Sequence, residues 1–229
     1  MFERIIEEAP RFFTYYNLMF VLGAMWRTLL MTLVGCSIGF TVGLGLAVLR
    51  RTSAAWLRPA RYAAILYVET FRRIPFLVVL FIVLYFIQPI YSGASLLAIA
   101  TVAVCLMSTA FLSEIIRAGL ESVPRQQMES AEVLNFHPGQ TLAWVILPQA
   151  WKVILPPAVA FVVMFVKDTS LASQLGVVEL TYAGKILVNK GFSPLLGFGA
   201  ILAAYFILSY PLSRLGAHLE TRLGTSRNT

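Results

Sequence analysis

Residues 74–113 read IPFLVVLFIVLYFIQPIYSGASLLAIATVAVCLMSTAFLS, a run of 40 residues without a charged side chain. As a helix this run would measure about 60 Å, twice the roughly 30 Å of a bilayer's hydrocarbon core. Gln88, Pro89, Ser92 and Gly93 lie in the middle of the run, where they favour a turn. The run therefore predicts two membrane-spanning helices joined by a short turn.

Three further charge-free stretches flank this run. Residues 28–49 (22 residues) and 191–213 (23 residues) are each long enough to cross the hydrocarbon core as one helix. Residues 153–166 number only 14, about 21 Å of helix, so a crossing that begins near Lys152 must carry Asp168 below the membrane surface. We therefore expect an all-α polytopic membrane protein with five transmembrane helices.

The composition agrees with a membrane protein. Of the 229 residues, 59% are hydrophobic and 13% charged, against roughly 45–50% and 25% in soluble domains. The net charge of +7 includes no long basic run, which argues against a nucleic-acid partner. Cys36 and Cys105 lie in apolar runs, typical of buried thiols. The N-terminal MFERIIEEAP is unlike a cleaved signal peptide, so we expect residue 1 to remain in the mature protein.

The distribution of Lys and Arg predicts the orientation. With the N-terminus outside, and not counting Arg72, Arg73 and Lys167, the inner segments hold ten basic residues and the outer segments five, and the positive-inside rule favours this arrangement. We expect residues 1–24 to form an external segment, 25–216 a single transmembrane domain and 217–229 a cytoplasmic tail. The inner residues are Arg50, Arg51, Arg58, Arg61, Arg117, Arg125, Lys152, Arg214, Arg222 and Arg227, and the outer residues are Arg4, Arg11, Arg27, Lys185 and Lys190.

Three glycines in the first predicted span share one helical face. Gly35, Gly39 and Gly43 are spaced four residues apart, which lets a second helix backbone approach closely because no side chain intervenes. We interpret them as helix-packing residues.

The longest inner segment, residues 117–150, is the most polar part of the chain. Residues 129–136 favour a helix, the sequence HPG at 137–139 ends it, and a second helix begins near Gln140. Such a helix-turn-helix is either a solvated loop or a docking device for a cytosolic partner.

At this segment the chain resembles the EAA signature of binding-protein-dependent ABC importer permeases. In that signature an EAA triplet is followed at set distances by Gly and by an I-x-LP ending; here the matching residues are Glu129, Ser130, Ala131, Asn135, Val145, Leu147 and Pro148. Four more elements resemble the polar amino acid branch: FRRIP (71–75) is similar to FRGTP, SEIIRAG (113–119) to AEIIRAG, ILPQA (146–150) to VILPQA, and VKDTSLAS (166–173) to LKDTSLAS.

The resemblance implies a fold and a set of partners. The fold would be that of a type I ABC importer permease in the bacterial inner membrane. The partners would be ATP-binding-cassette ATPases, a second permease that is the same or a homologous chain, a periplasmic or lipid-anchored solute-binding protein, and membrane lipid. This chain would bind no cofactor: it lacks a G-x-x-x-x-G-K-[ST] loop, so ATP and Mg would be bound by the ATPase.

The resemblance also implies that the EAA segment is a coupling helix that docks in a groove of the ATPase. Asn135 replaces the family's glycine, and asparagine tolerates a left-handed backbone better than other non-glycine residues. Ser130 replaces a small alanine and leaves a hydroxyl to satisfy. The docking residues would be Glu129, Ser130, Ala131, Asn135, Phe136 and His137. His137 has no partner that suggests a metal site, since the chain lacks an H-E-x-x-H motif and a Cys/His cluster.

The FRRIP element is the first candidate for the translocation path. Arg73 and Ile74 stand where the family has Gly and Thr, before Pro75. Glu69 can pair on a helix with either Arg72 or Arg73. These charges either end a span at the inner interface or place Arg73 near a central cavity, where a guanidinium would suit an acidic solute.

The KDTS element is the second candidate. Asp168 is expected to engage an ammonium group or a cation, with Thr169 and Ser170 supplying hydroxyls. The alternative is an arrangement of Lys167 and Asp168 that only shapes the helix. Two hydroxyls in an apolar span complete the path candidates, Ser108 and Thr109.

These observations predict a non-catalytic permease subunit that moves a polar amino acid or a similar small zwitterion inward by alternating access. An ATP-independent channel or a membrane scaffold is the first alternative. The second alternative is an intramembrane hydrolase that uses Asp168 or Glu114 as acid or base. The sequence argues against it, because no paired carboxylates, nucleophile–base dyad or metal ligands occur at a supporting spacing.

Overall fold

The structure, a computed structural model, describes the backbone of residues 2–52 and 54–223 and the side chains from residue 5 onward within these ranges. All regular secondary structure in these ranges is helical, which confirms the predicted class. The helices are α1 (Phe2–Phe12), α2 (Tyr15–Arg51), α3 (Arg58–Phe71), α4 (Phe76–Ile90), α5 (Leu96–Glu121), α6 (Arg125–Val133), α7 (Pro138–Gln140), α8 (Leu147–Asp168), α9 (Leu180–Asn189) and α10 (Pro194–Leu223). Of the orientation residues, Arg227 and the Arg4 side chain lie outside the described parts, as do residues 224–229 of the expected tail.

Three shorter segments adjoin these helices. A 3₁₀ turn (Ala55–Leu57) precedes α3, a π-helical segment (Thr141–Ile146) joins α7 to α8, and a 3₁₀ segment (Thr169–Leu175) follows α8. The π-helical segment lies just before Pro148. Proline lacks an N–H and crowds the carbonyl four residues earlier, so a widened turn at this point accommodates it.

The described helices allow up to five membrane crossings. Four are long and apolar enough alone: α2, α5, α10 and the continuous run Pro138–Leu175. A fifth exists if Ala55–Phe71 and Phe76–Ile90, which meet at 116°, form one broken span. This agrees with the five predicted spans.

The structure corrects one detail of the predicted spans. Residues 74–113 had suggested that their first half crosses the membrane alone, but the helix resumes only after Pro75, and α4, with 15 residues, is too short to do so. In the fourth span the helix extends beyond both ends of the charge-free residues 153–166, since the run Pro138–Leu175 includes Lys152 and Asp168.

The chain divides into two compact units, here called the first and the second unit. The first unit comprises Met1–Ser37, Ile74–Met107 and Val162–Pro211. Its core includes the buried residues Ala24, Leu180, Ala183, Ile201 and Ala204. The second unit comprises Ile38–Arg73, Ser108–Phe161 and Leu212–Thr229. Its core includes the buried residues Ala47, Ile116, Leu120, Val123, Ile146, Ala150 and Ile154.

In the first unit, α1 is held against the start of α10. The Ser193 N–H donates to Glu8 Oε2 at 2.6 Å. The buried Phe12 ring packs edge-on against Phe192, with 5.2 Å between ring centroids. The acidic N-terminal residues therefore belong to a docked amphipathic helix.

The glycines of α2 face α5 within each unit. In the first unit a Cβ at Gly35 would lie 2.2 Å from Val104 Cγ1. In the second unit a Cβ at Gly39 would lie 2.1 Å from Ser108 Oγ, and one at Gly43 would lie 2.9 Å from the Ser113 nitrogen. These separations leave no room for a side chain, so the helices approach each other at backbone distance.

Candidate functional site

The EAA segment forms α6 and lies in the second unit. Ala131 is buried at 2% exposure, whereas Glu129 and Ser130 are exposed. The Ser130 hydroxyl donates to the Gln126 carbonyl at 2.8 Å. The extra hydroxyl is thereby satisfied inside the helix, so the change from alanine adds no unpaired polar group to α6.

Asn135 ends α6 in the left-handed conformation, with φ of 55°. The Phe136 N–H donates to the Ala131 carbonyl (3.0 Å) and the Asn135 N–H to the Glu132 carbonyl (2.9 Å). This is the hydrogen-bond pattern of a Schellman motif, in which glycine is usual and asparagine is tolerated. The turn predicted from the family's glycine is therefore present with asparagine.

His137 caps the next helical turn. Its Nδ1 accepts from the Gly139 N–H at 3.2 Å, and its own N–H donates to Gln140 Oε1 at 2.8 Å. The reciprocal bonds fix the angle at which the chain enters α7. Among the described residues no group of three potential ligands could hold a metal ion.

Apolar side chains surround this capped turn at the surface of the second unit. Val133 is 82% exposed, Leu134 66% and Trp144 65%. The Trp144 ring also packs edge-on against Phe136, with centroids 5.9 Å apart. The segment thus presents a rigid, partly apolar surface beside the acidic Glu129, which suits a protein partner better than water.

The FRRIP charges do not form one cluster. Arg73 donates to Glu69 at 2.6 Å and its side chain is 78% exposed. Arg72 instead approaches Glu114 of the SEIIRAG element at 3.7 Å, and the same carboxylate binds Arg50 at 2.8 Å. Arg50 is the first charged residue after the charge-free residues 28–49 of α2, on the side predicted to face the cytosol. Because Arg72 shares a carboxylate with Arg50, these contacts favour the inner-interface interpretation for Arg72.

Glu114 is the centre of a charge network that the sequence did not single out for this role. It contacts three guanidiniums, those of Arg50, Arg72 and Arg117. The i, i+3 spacing predicts only the pair with Arg117. The contacts with α2 and the end of α3 depend on how these helices pack.

Replacing Glu114 by glutamine is expected to lower the free energy of unfolding by about 1–3 kcal/mol, because Arg50 is 10% exposed and would lose its anionic partner. Thermal unfolding of the purified permease in detergent measures the loss. Glu121→Gln is the matched control on the same helix, since Glu121 is 50% exposed and pairs only with Arg117 among the described residues. Equal losses of unfolding free energy in both variants would contradict a stabilising role of the contacts that Glu114 makes with Arg50 and Arg72.

The remaining path candidates divide between the two units. Ser108 and Thr109 are buried in the second unit, to which Arg73 also belongs. Ile74 and Pro75 belong to the first unit. The KDTS residues Asp168, Thr169 and Ser170 lie there as well.

In the first unit the structure brings the start of α4 to the KDTS element. The Phe76 ring, next to Pro75, lies 5.2 Å from the Phe165 ring, and α4 contacts the 3₁₀ segment that begins at Thr169. Asp168 is half-buried and makes no ion pair with Lys167 or any other described residue. The Thr169 hydroxyl donates to the Val166 carbonyl at 2.7 Å. Asp168 therefore remains available to a ligand, whereas Thr169 is already satisfied.

Glu179 is a buried carboxylate that sequence reasoning missed. It caps α9 by accepting from the Thr181 N–H (2.9 Å) and the Tyr182 N–H (2.8 Å), and the Tyr205 hydroxyl donates to it at 2.8 Å. Burial raises the pKa of its carboxyl group, although these hydrogen bonds oppose the rise. Glutamate is not among the usual N-cap residues, so the local sequence held no signal that identified it.

Comparisons with known proteins agree with these motifs. Residues 39–225 match the family of binding-protein-dependent transport system inner membrane components. The chain is 31% identical over 212 residues to the probable glutamine ABC transporter permease protein GlnM of Bacillus subtilis (strain 168), covering 92% of this chain and 96% of that protein. It is 33% identical over 202 residues to the L-cystine transport system permease protein TcyB of the same organism, covering 88% and 85%.

A solved structure supports the same assignment. A chain from the crystal structure of an amino acid ABC transporter with histidines superposes with a TM-score of 0.81 at 26% identity, covering 97% of this chain and 98% of that chain. The match by sequence, motif and fold spans nearly the whole protein. The chain therefore belongs to the binding-protein-dependent transport system inner membrane components and is a permease of the ABC importer type.

Proposed function

We propose that this permease moves a polar amino acid across the bacterial inner membrane by alternating access, driven by a separate ATPase that docks on the EAA segment. The observation that carries the proposal is the capped turn from α6 to α7, which joins an exposed surface directly to the helical run Pro138–Leu175. Because no flexible linker intervenes, a push on α6 is passed into a membrane span as a rigid-body movement.

The docking residues have distinct roles in this proposal. Glu129 and Ser130 face the ATPase, while the buried Ala131 packs inward and keeps α6 against the rest of the second unit. Asn135 and His137 hold the turn by backbone conformation and capping. Phe136 supports the exposed Trp144. ATP and Mg bind the ATPase, and this chain performs no chemistry.

The proposed assembly contains two permeases, two ATPases in the cytosol and a periplasmic or lipid-anchored solute-binding protein. The EAA segment faces the cytosol, so the N-terminus lies outside and the C-terminus inside, as the Lys and Arg distribution favours. ATP binding closes the ATPases and opens the cavity between the permeases outward.

The substrate class rests on the relatives and on Asp168. GlnM is named for glutamine and TcyB for L-cystine, both of which carry an α-ammonium group. Asp168 is a half-buried carboxylate that forms no ion pair within the described part of the chain, and such a carboxylate suits a cationic group. Arg73 already pairs with Glu69, so its support for an acidic solute is weaker.

The test is reconstitution of the permease with its ATPase and solute-binding protein in liposomes. We expect ATP-dependent uptake of an amino acid that also raises the melting temperature of the binding protein. Amino acids screened one at a time identify the solute. Uptake of the same size without ATP would instead support a channel.

Asp168→Asn is expected to reduce uptake at least about tenfold, because the amide cannot pair with an ammonium group. Size-exclusion chromatography should show that the complex still assembles, since the substitution conserves shape. Lys167→Gln is the matched neighbour, whose exposed side chain is not proposed to touch solute. If Asp168→Asn transports normally, Asp168 does not belong to the solute site.

A further inference from the structure

The first unit contains a cavity of about 450 Å³ that the proposed transport function does not use. Its apolar wall is formed by Phe20 of α2, Leu96 and Leu97 at the start of α5, and Ile186 of α9. The turn 176–178 closes one side. The lining residues include one cation, Arg27, and no carboxylate.

Arg27 is held in place with most of its donors unused. It donates to the Val178 carbonyl at 3.2 Å. Its neighbour Thr28 accepts from the Leu180 N–H at 3.2 Å, so two adjacent residues of α2 pin the turn. A guanidinium has five N–H donors, and within the described residues only one makes a hydrogen bond. The others are free to bind an anion at a rigid position.

A second cation lies beside the cavity. The Lys190 ammonium is 5.3 Å from the centroid of the Phe20 ring, which lines the cavity. The nearby carboxylate of Glu179 is already bound by two backbone N–H groups and by Tyr205. The lining itself is positive, because it contains Arg27 and no acidic side chain.

The depth of Arg27 is set by α2. Arg27 directly precedes the charge-free residues 28–49, which fill the hydrocarbon core. Its guanidinium therefore lies at the level of the lipid headgroups, with apolar side chains of the cavity beside it. A cation at this depth next to an apolar wall matches an amphiphile that has an anionic head and a hydrocarbon chain.

We propose that this cavity binds an anionic phospholipid such as phosphatidylglycerol. The phosphate is bound by Arg27 and Lys190, and one acyl chain lies along Phe20, Leu96 and Ile186. The site would tie α2, α5 and α9 of the first unit to the bilayer. Lipid binding at this cavity depends neither on the solute nor on the ATPase.

The test is thermal unfolding of the full-length permease in neutral detergent, titrated with phosphatidylglycerol, phosphatidylcholine or inorganic phosphate. We expect phosphatidylglycerol to raise the melting temperature more than the other two. Arg27→Gln and Lys190→Gln should each weaken the apparent affinity roughly fivefold. Arg11→Gln is the control, because Arg11 is an exposed arginine outside the cavity and should leave the titration unchanged.

Three results would overturn the proposal. Equal stabilisation by phosphatidylcholine would show that the charge is not recognised, and equal stabilisation by inorganic phosphate would show a free-anion site. Unchanged phosphatidylglycerol affinity in Lys190→Gln would show that Lys190 does not bind the phosphate, which would also overturn the proposal. This variant decides the matter if Arg27→Gln does not fold, because the Lys190 side chain makes no hydrogen bond within the described residues and its loss leaves the turn intact.

Discussion

Glu129→Arg is expected to abolish solute-stimulated ATP hydrolysis and to release the ATPase from the purified complex. Glu129 is exposed on α6 and forms no ion pair with another described residue, so its carboxylate is free to face the ATPase. A reversed charge at an interface produces like-charge repulsion that costs several kcal/mol. Affinity should therefore fall on the order of a hundredfold or more.

The measurement is co-purification of the ATPase with tagged permease, followed by ATP hydrolysis with and without loaded solute-binding protein. Glu220→Arg is the matched control, because it reverses an exposed acidic residue on α10 outside the EAA segment. The permease itself should remain folded, since the exposed Glu129 side chain makes no ion pair with the residues that the structure describes. A coupled complex with normal hydrolysis in Glu129→Arg would refute the docking assignment.

Gly39→Val is expected to cause the largest loss of stability, about 3 kcal/mol or more. A Cβ at this position would lie 2.8 Å from Ser108 Cβ and 2.9 Å from the Ser108 carbonyl carbon. The backbone of α5 cannot rotate away as a flexible side chain can, so the two helices must separate. Separation removes the close packing on which helix association in a membrane depends.

Size-exclusion chromatography of the solubilised permease measures the folded yield, and thermal unfolding measures the melting temperature. Both should fall in this variant. Gly45→Val on the same helix is the control, because nothing lies within 4 Å of a Cβ there. The smaller variant Gly39→Ala should be partly rescued by Ser108→Gly, which removes the two nearest atoms. Similar yields of Gly39→Val and Gly45→Val would show that α2 and α5 are not packed at backbone distance.

Much of the candidate site was predictable because it is local in sequence. Asn135 adopts its left-handed conformation at the position where the resemblance calls for glycine, and the HPG sequence begins α7 with a cap on His137. Both features depend on the backbone preferences of a few consecutive residues. The break at Pro75 was less visible, because hydropathy alone does not register a bend within an apolar run.

The sequence by itself determined the membrane class, the approximate number of crossings and the place of the polar turn. Charge-free length and local backbone preference are properties of neighbouring residues. Only the tertiary structure decided that Glu114 binds Arg50 across 64 positions and that Arg27 binds the Val178 carbonyl across 151. Such pairs depend on how packed helices align. Helical periodicity predicts only pairs three or four residues apart on the same helix, so it cannot predict that alignment.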